Sequence, residues 1–316
     1  MRFTTISAAI GRLAILLIAV QVFSMLSVAD EPLSLATAEV RPELLLLCEI
    51  GNVSFQIDGS KLWTLSGLNY KTHSIATRDS AYGTVLNIDG VGLLGTAHFL
   101  DVPGQPGKVE KENVTELQFF VDGRQLRSEL AQPHLKGTSF RLKRASVIRT
   151  VRLESDVSVE NDVLIETVRM QASEDTRLKL CYPLMYAWSP KMTDYLFGDD
   201  TGIIKRGSFI SDGAKPGEGL ERTARWMAVY DSANGCGVVC LLRQHPASED
   251  VWFQYTDAPD VYRKLRLMSF SEKTMPAGFD GTYQSAIGFF NAESATWEET
   301  ALDRVREMKS STKQQD

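Results

Sequence analysis

His98 is the residue of this sequence best suited, by type and position, to proton transfer. It follows a glycine-flanked apolar run that starts at Gly92, and it comes shortly before the loop at 102–108. The pKa of an unperturbed imidazole lies near neutrality, so a histidine that projects into a cleft can act as a general acid or base. The alternative is a half-buried histidine whose ring is hydrogen-bonded to a backbone carbonyl.

Aromatic side chains are concentrated in the segment 182–190. Tyr182, Tyr186 and Trp188 share strand parity, so an extended segment would place them on one face. Aromatic rings stack on the apolar faces of sugar rings, and phenol and indole groups donate hydrogen bonds to hydroxyls. The segment predicts a sugar-binding face, with Tyr186 a candidate catalytic phenol and Trp188 a binding residue. A core aromatic cluster, common in β-sandwiches, is the alternative.

Arginine stands beside aromatic residues later in the chain. Arg222, Arg225 and Trp226 are close in sequence, and Trp252 and Tyr255 follow. The planar guanidinium suits a carboxylate or sulfate group. We therefore interpret Arg225 as a candidate catalytic residue and Trp226, Trp252 and Tyr255 as candidate substrate-binding residues. The alternative is a surface arginine that covers the edge of a tryptophan.

These candidates combine into one predicted surface. We expect a concave sheet face lined by Tyr186, Trp188, Arg225 and Trp252 to bind a saccharide, with His98 at its rim. Large exposed aromatic groups are unfavourable on a soluble surface unless they meet a ligand.

Other kinds of site receive little support. The sequence has no G-x-S-x-G, P-loop, H-E-x-x-H or EF-hand motif, and its four histidines have no metal-ligand spacing. We therefore predict no metal site and no cofactor. The formal net charge of −6 argues against nucleic acid as a partner. The basic residues between 141 and 152 alternate along the chain, which is typical of a solvated strand face.

The chain from about residue 50 has the pattern of antiparallel β-structure. Apolar residues alternate with polar ones in many short segments, and Asp58-Gly59, Asp89-Gly90 and Asp122-Gly123 each follow such a segment as hairpin-type turns. Asn161-Asp162 is a further predicted turn. The glycine- and aspartate-rich stretch 193–220 is expected to be loops, with one short strand near 203–204. The run of leucines at 44–47 is compatible with a docking strand or a helical turn.

Only the C-terminus is predicted to be helical. Trp297, Ala301, Val305 and Met308 recur on one helical face, and Thr296 with Glu299 suggests a capping box. We predict an all-β fold, a large antiparallel β-sandwich of the supersandwich type with a short C-terminal helix. The expected divisions are 30–49 for an N-terminal segment, 50–293 for the sandwich domain, and 294–316 for the helix and tail.

The first 29 residues have the pattern of a secretory signal peptide. Arg2 and Arg12 precede an apolar run, and the small residues of Ser27-Val28-Ala29 fit a cleavage site. The uninterrupted apolar core is about 8 residues, whereas a spanning helix needs roughly 20. We expect a secreted protein, periplasmic or extracellular, with no membrane span after cleavage. Removing Arg2 and Arg12 takes the formal charge from −6 to −8.

Four cysteines remain in the mature chain. Cys236 and Cys240 would be about 13 Å apart on a straight strand, which is too far for a disulfide. Unless this segment is a turn, we expect these thiols to be buried and unpaired, together with Cys48 and Cys181.

Several segments resemble the galactose mutarotase-like superfamily. The segment 226–239, which reads Trp-Met-Ala-Val-Tyr-Asp and then turns through glycines into an apolar strand, is similar to a hairpin of those β-supersandwich domains. The segments 276–283 and 95–98 resemble a late strand and an early edge of the same fold. The resemblance is diffuse and spans about residues 50–290.

The resemblance implies carbohydrate as the partner, but it leaves the activity open. The superfamily includes aldose epimerases, domains of polysaccharide lyases and glycoside hydrolases, and noncatalytic sugar-binding modules, so fold alone does not determine function. Family epimerases pair a histidine with a glutamate, for which His98 with Glu166 or Glu221 are candidates. Family lyases use a tyrosine or histidine base with an arginine, for which Tyr186 and Arg225 have suitable chemistry. We expect a secreted carbohydrate-binding or carbohydrate-active protein. The alternative is a noncatalytic sugar-binding or structural β-sandwich.

Overall fold

A computed structural model describes residues 35–36, 43–77, 83–96, 98–126, 133–209 and 217–312. The predicted signal peptide and its cleavage site lie outside these residues.

Most of the described residues lie in strands, and one α-helix follows the last strand. In chain order the elements are β1 (Leu35–Ala36), β2 (Leu45–Ile50), β3 (Val53–Asp58), β4 (Thr64–Tyr70), β5 (His73–Ser74), β6 (Val85–Ile88), β7 (Gly92–Leu94), β8 (Leu100–Asp101), β9 (Val109–Glu110), β10 (Asn113–Val121), β11 (Arg124–Gln125), β12 (His134–Gly137), β13 (Ser139–Ile148), β14 (Val151–Glu160), β15 (Val163–Ala172), β16 (Thr176–Trp188), β17 (Asp194–Gly198), β18 (Ile203–Ser208), β19 (Gly217–Glu221), β20 (Trp226–Asp231), β21 (Cys236–Gln244), β22 (Trp252–Ala258), β23 (Tyr262–Ser269), β24 (Lys273–Met275), β25 (Asp280–Asn291) and α1 (Trp297–Thr312).

The described residues form four sheets, of which three make up the layers and the fourth is the two-stranded pair of β8 and β9. The large sheet has the order β1-β10-β13-β14-β15-β25-β21-β20-β17-β18, with β11 paired to β10. The five-stranded sheet has the order β12-β2-β3-β4-β5. The seven-stranded sheet has the order β19-β22-β23-β16-β6-β7, with β24 paired to β16. Pairing is antiparallel except between β12 and β2, which are parallel. The predicted all-β sandwich with a C-terminal helix is confirmed.

The inner face of the large sheet packs against the other two sheets. Phe140 of β13 meets Phe55 of β3 with ring centroids 5.1 Å apart, and Phe197 of β17 lies 6.4 Å from Phe253 of β22. Alternation along β14 buries one side chain in two, which places its apolar residues and Ser155 on the core side and its other polar residues on the outer face. The core therefore lies between two layers of strands.

Helix α1 covers part of the outer face of the large sheet. Trp297 stacks on Tyr230 of β20, with ring centroids 5.0 Å apart and planes 6° from parallel. Ala301, Val305 and Met308 are buried against the same strands, as the helical periodicity predicted. Gly288 of β25 permits this close approach, because a Cβ there would lie 2.7 Å from the sulfur of Met308. Among the described residues, the helix packs beside Val163 and Ile165 of β15 and leaves the outer faces of β13 and β14 uncovered.

The predicted turns have different outcomes. Asn161 and Asp162 have φ values of 51° and 56°, the left-handed pair that a two-residue hairpin loop requires. Asp122 and Gly123 likewise turn β10 into β11. Asp58 instead caps the 3-10 helix Gly59–Lys61, accepting a hydrogen bond from the Ser60 N–H.

Two further expectations are resolved by strand pairing. The leucine run at 44–47 enters a strand, since β2 pairs with β3. The stretch 193–220 holds more strand than expected, because β17 is buried between β18 and β20 and pairs with both. Partner strands from elsewhere in the chain stabilise this short segment despite its turn-rich flanks.

All four cysteines are buried and unpaired. Cys236 and Cys240 lie on the single strand β21, so the straight-strand geometry expected from the sequence applies.

Candidate functional site

The aromatic candidates of β16 lie inside the protein. Tyr186 and Trp188 are 4% and 1% exposed and stack on each other with centroids 5.2 Å apart. The expected concave face lined by these residues with Arg225 and Trp252 is therefore not formed. The alternative of a core aromatic cluster describes Tyr186 and Trp188. Tyr182 does not share their face as predicted, because a register irregularity between Cys181 and Leu184 places it in a separate apolar cluster.

The remaining aromatic candidates lie in three different environments. Trp226 is buried beneath α1 and donates from its indole nitrogen to the carbonyl of Asp199 at 3.0 Å. Tyr255 is half-buried at the edge of the core, with its hydroxyl 3.4 Å from that of Tyr195. Trp252 lies half-buried on the outer face of the seven-stranded sheet, beneath Arg222. The structure does not bring these residues together into one site.

The proton-transfer candidates are also apart. The ring Nδ1 of half-buried His98 lies 2.8 Å from the carbonyl oxygen of Thr96 and 3.1 Å from that of Gly95. This carbonyl contact is the alternative that the sequence left open. Arg225 is half-buried beside Trp226, and its backbone N–H donates to the carbonyl of Gly198 at 2.7 Å.

A polar network occupies the core near Tyr186. The Tyr186 hydroxyl donates to Glu166 Oε2 at 3.0 Å and lies 2.5 Å from the hydroxyl of Ser285. Burial raises the pKa of Glu166 to about 7, and burial also raises the pKa of Tyr186. Glu166 and Tyr186 are therefore hydrogen-bonded to each other, and both have side chains that can take part in acid–base chemistry.

The space beside this pair is too small for a sugar. Arg144, Glu166 and Tyr186 line a core cavity of about 20 Å³, which has room for about one water molecule. Arg144 donates to the carbonyl of Leu62 at 2.7 Å and lies 3.2 Å from Glu112, which satisfies its buried charge. The network therefore has a structural role in this sandwich.

An open groove lies on the outer face of the large sheet. Its volume is about 660 Å³, and it spans the uncovered part of β13, β14 and β15 and continues to β25 and β21. Because side chains alternate along each strand, the lining comes largely from every second residue over part of each strand, such as Asp156, Ser158 and Glu160 of β14. Its polar lining residues are Ser139, Arg141, Lys143, Asp156, Ser158, Glu160, Asn161, Thr167, Arg243 and Gln284.

The groove residues form ordered rows across the strands. Lys143, Asp156, Thr167 and Gln284 are register partners on four neighbouring strands. The amide of Gln284 donates to the Thr167 hydroxyl at 2.9 Å. Lysine, carboxylate, hydroxyl and amide groups thus follow one another on one surface, which is a suitable arrangement for binding several hydroxyl groups.

The charged side chains of the groove differ in their contacts with other protein groups. Arg141 donates to both carboxylate oxygens of Asp156, at 2.9 Å from Nε and 2.6 Å from Nη2, and this hydrogen bonding raises the pKa of Arg141. Arg243 donates to the carbonyl of Met308 in α1 at 2.9 Å, and burial lowers the pKa of Arg243. Lys143 is exposed and makes no ion pair within the described part of the chain. Its ammonium group is the cation most available to a ligand.

The structure also limits other kinds of site. Within the described ranges, no three His, Cys, Asp or Glu side chains come together so as to hold a metal ion. The search for membrane-crossing helices over the same ranges found none that is sufficiently long and apolar.

No family model and no curated protein matches the sequence of this chain. Among solved structures, the galactosidase domain of an alpha-galactosidase–sucrose kinase is similar over 79% of this chain, with 9% identity and a TM-score of 0.48. This chain spans 41% of that structure.

Two smaller proteins are similar over most of their length. A putative aldose 1-epimerase from Escherichia coli K12 matches 78% of this chain and 99% of its own, with 9% identity and a TM-score of 0.43. A galactose mutarotase-like protein from Clostridium acetobutylicum matches 77% and 94%, with 8% identity and a TM-score of 0.44. The diffuse resemblance suggested by the sequence is therefore found among solved structures, and it concerns the fold alone.

The groove was not predicted from the sequence, although the sequence contains a pattern that indicates it. The alternation of Arg141 and Lys143 was interpreted as a solvated face, and both residues do face solvent. Polar residues of the same parity on β14 and β15 were available in the sequence as well. What the sequence did not contain was the position of α1, which leaves this part of the face open.

Proposed function

We propose that the protein binds an oligosaccharide noncovalently in the groove of the large sheet. The observation that carries this proposal is the row Lys143, Asp156, Thr167 and Gln284, in a groove of about 660 Å³. That volume is within the range of small-molecule sites. Half-buried Phe120 lines the same groove and offers an apolar surface to a sugar ring.

The positions and hydrogen bonds of the acidic residues favour noncovalent binding over catalysis. Asp156 is held by Arg141, and Glu160 lies exposed at the end of β14. His98 is not among the residues that line the groove, and Glu166 faces the core. An epimerase or lyase needs an acid and a base within hydrogen-bond reach of the reacting sugar. The groove offers hydrogen-bonding groups but no such free pair among the residues that line it.

The test is a glycan array followed by titration of the strongest ligand. Lys143→Met keeps the aliphatic stem and removes the charge, and Lys111→Met removes one charge from an exposed site outside the groove. We expect Lys143→Met to weaken binding about tenfold, since a hydrogen bond from a charged group contributes about 1.5–3 kcal/mol, and Lys111→Met to bind like the wild type.

Two results would reject the proposal. One is equal affinity of wild type and Lys143→Met for every array ligand. The other is conversion of the bound sugar to a new product, detected by mass spectrometry or by NMR of the anomeric proton, which would support the enzymatic alternative.

We also propose that the protein is exported with cleavage after Ala29. The support is the order of charged, apolar and small residues at the N-terminus. N-terminal sequencing of protein recovered from the export compartment should begin at Asp30. A protein that retains Met1 would reject export by this route.

A further inference from the structure

The outer face of the seven-stranded sheet carries two cation–aromatic clusters that are separate from the groove. The ammonium of Lys264 lies 5.6 Å from the ring centroid of Tyr182 and 5.8 Å from that of Tyr262. The guanidinium carbon of Arg222 lies 4.9 Å from the ring centroid of Trp252. Arg222 is exposed, whereas Lys264, Tyr262 and Trp252 are half-buried, so the clusters are open to solvent on one side.

Neither Lys264 nor Arg222 forms an ion pair within the described residues. Their charged groups lie beside aromatic rings. Burial, together with the neighbouring charge of Arg266, lowers the pKa of Lys264 to about 8. A partly desolvated cation next to a second cation gains more from a bound anion than a fully hydrated one does.

The two clusters adjoin each other on this face. Tyr182 and Met268 belong to one apolar cluster, against which Trp252 packs. Met268 is the register partner of Trp252 and lies four residues from Lys264 on β23. Two cations beside a shared apolar surface suit a ligand that carries anionic groups together with apolar faces.

We propose that this face binds an acidic polysaccharide, a chain of sugars bearing carboxylate or sulfate groups, through Lys264 and Arg222. The accessible edges of Tyr262 and Trp252 contact the apolar faces of its sugar rings. Nucleic acid fits less well, because its phosphates recur every 3.4 Å along a strand, whereas the cations here are few and the whole chain has a formal charge of −6. This site is independent of the groove.

Four probes of similar length test the proposal on the full chain: an oligogalacturonate, a dextran sulfate fragment, neutral dextran and an oligothymidylate. We expect at least one acidic saccharide to bind, with affinity that falls as salt is added, while neutral dextran does not bind. The tighter of the two acidic ligands identifies the preferred group.

Charge variants locate the binding. Lys264→Met and Arg222→Gln should each weaken the acidic saccharide about tenfold. Lys264→Arg should restore binding, and Lys111→Met should have no effect. Circular dichroism of each variant checks that the fold is kept.

The proposal is overturned if neither acidic saccharide binds, if neutral dextran binds equally well, or if the oligothymidylate binds more tightly than both. It is also overturned if Lys264→Met and Arg222→Gln bind like the wild type. Lys143→Met should leave this binding unchanged, so failure here is distinguishable from failure of the groove.

Discussion

Replacing Glu166 by glutamine should make the stability of the protein less dependent on pH. Glu166 is buried, accepts a hydrogen bond from Tyr186, and has a pKa raised by burial from 4.5 to about 7. In the unfolded chain the carboxyl loses its proton at lower pH than in the folded protein. Its contribution to stability is therefore complete below about pH 4.5 and is lost as the pH rises to about 7.

The size of the effect follows from the difference between the two pKa values. A difference of about 2.5 corresponds to about 3 kcal/mol, at 1.36 kcal/mol for each pKa unit. Glutamine is neutral throughout and can still accept a hydrogen bond from the Tyr186 hydroxyl. The free energy of unfolding of Glu166→Gln, relative to wild type, should thus rise by about 3 kcal/mol between pH 4.5 and pH 8.

Urea unfolding of both proteins at several pH values measures this difference. Other carboxyl groups titrate in both proteins and cancel in the comparison. Glu43→Gln, at an exposed position, is the control for replacing a glutamate by glutamine. If the Glu166→Gln difference does not change with pH, the reasoning about this buried carboxyl is wrong.

Three other predictions concern packing and thiol burial. Trp188→Ala should lower the free energy of unfolding by about 3–5 kcal/mol in urea titrations, because this side chain is 1% exposed; a loss below about 1 kcal/mol would contradict its place in the core. Trp297→Ala removes the stacking on Tyr230 and should lower the free energy of unfolding by about 3 kcal/mol. The helical circular dichroism signal should decrease if α1 detaches from the sheet. An unchanged melting temperature would contradict this packing. A maleimide should label no cysteine of the native protein at pH 7.5 and all four in denaturant, since all are buried and burial raises the pKa of Cys236 to about 11. Rapid labelling of the native protein would contradict this burial.

Local sequence patterns predicted the fold well because each depends on residues that are close together in the chain. Period-two alternation marked β13, β14 and β15, the pair Asn161-Asp162 marked the hairpin between the last two, and the spacing from Trp297 marked the inward face of α1. The same reasoning missed β17, whose neighbours β18 and β20 are brought to it by the tertiary fold.

The site was harder to predict, because it depends on which face of a strand is covered. Tyr186 and Trp188 share one face as expected, but that face turns toward the large sheet and becomes core. Arg141 and Lys143 lie on a solvated face as expected, and that face lines a groove together with residues of β14, β15, β21 and β25. Parity along a strand identifies the residues of a face, whereas only the packing of the layers decides whether that face is buried, open or concave.

The most direct test of the central claim is a crystal structure of the protein with the strongest neutral ligand from the glycan array. We expect the sugar to lie in the groove of the large sheet, within hydrogen-bond distance of Lys143 and Gln284. A sugar bound elsewhere, with the groove left free in the same crystal, would contradict the account.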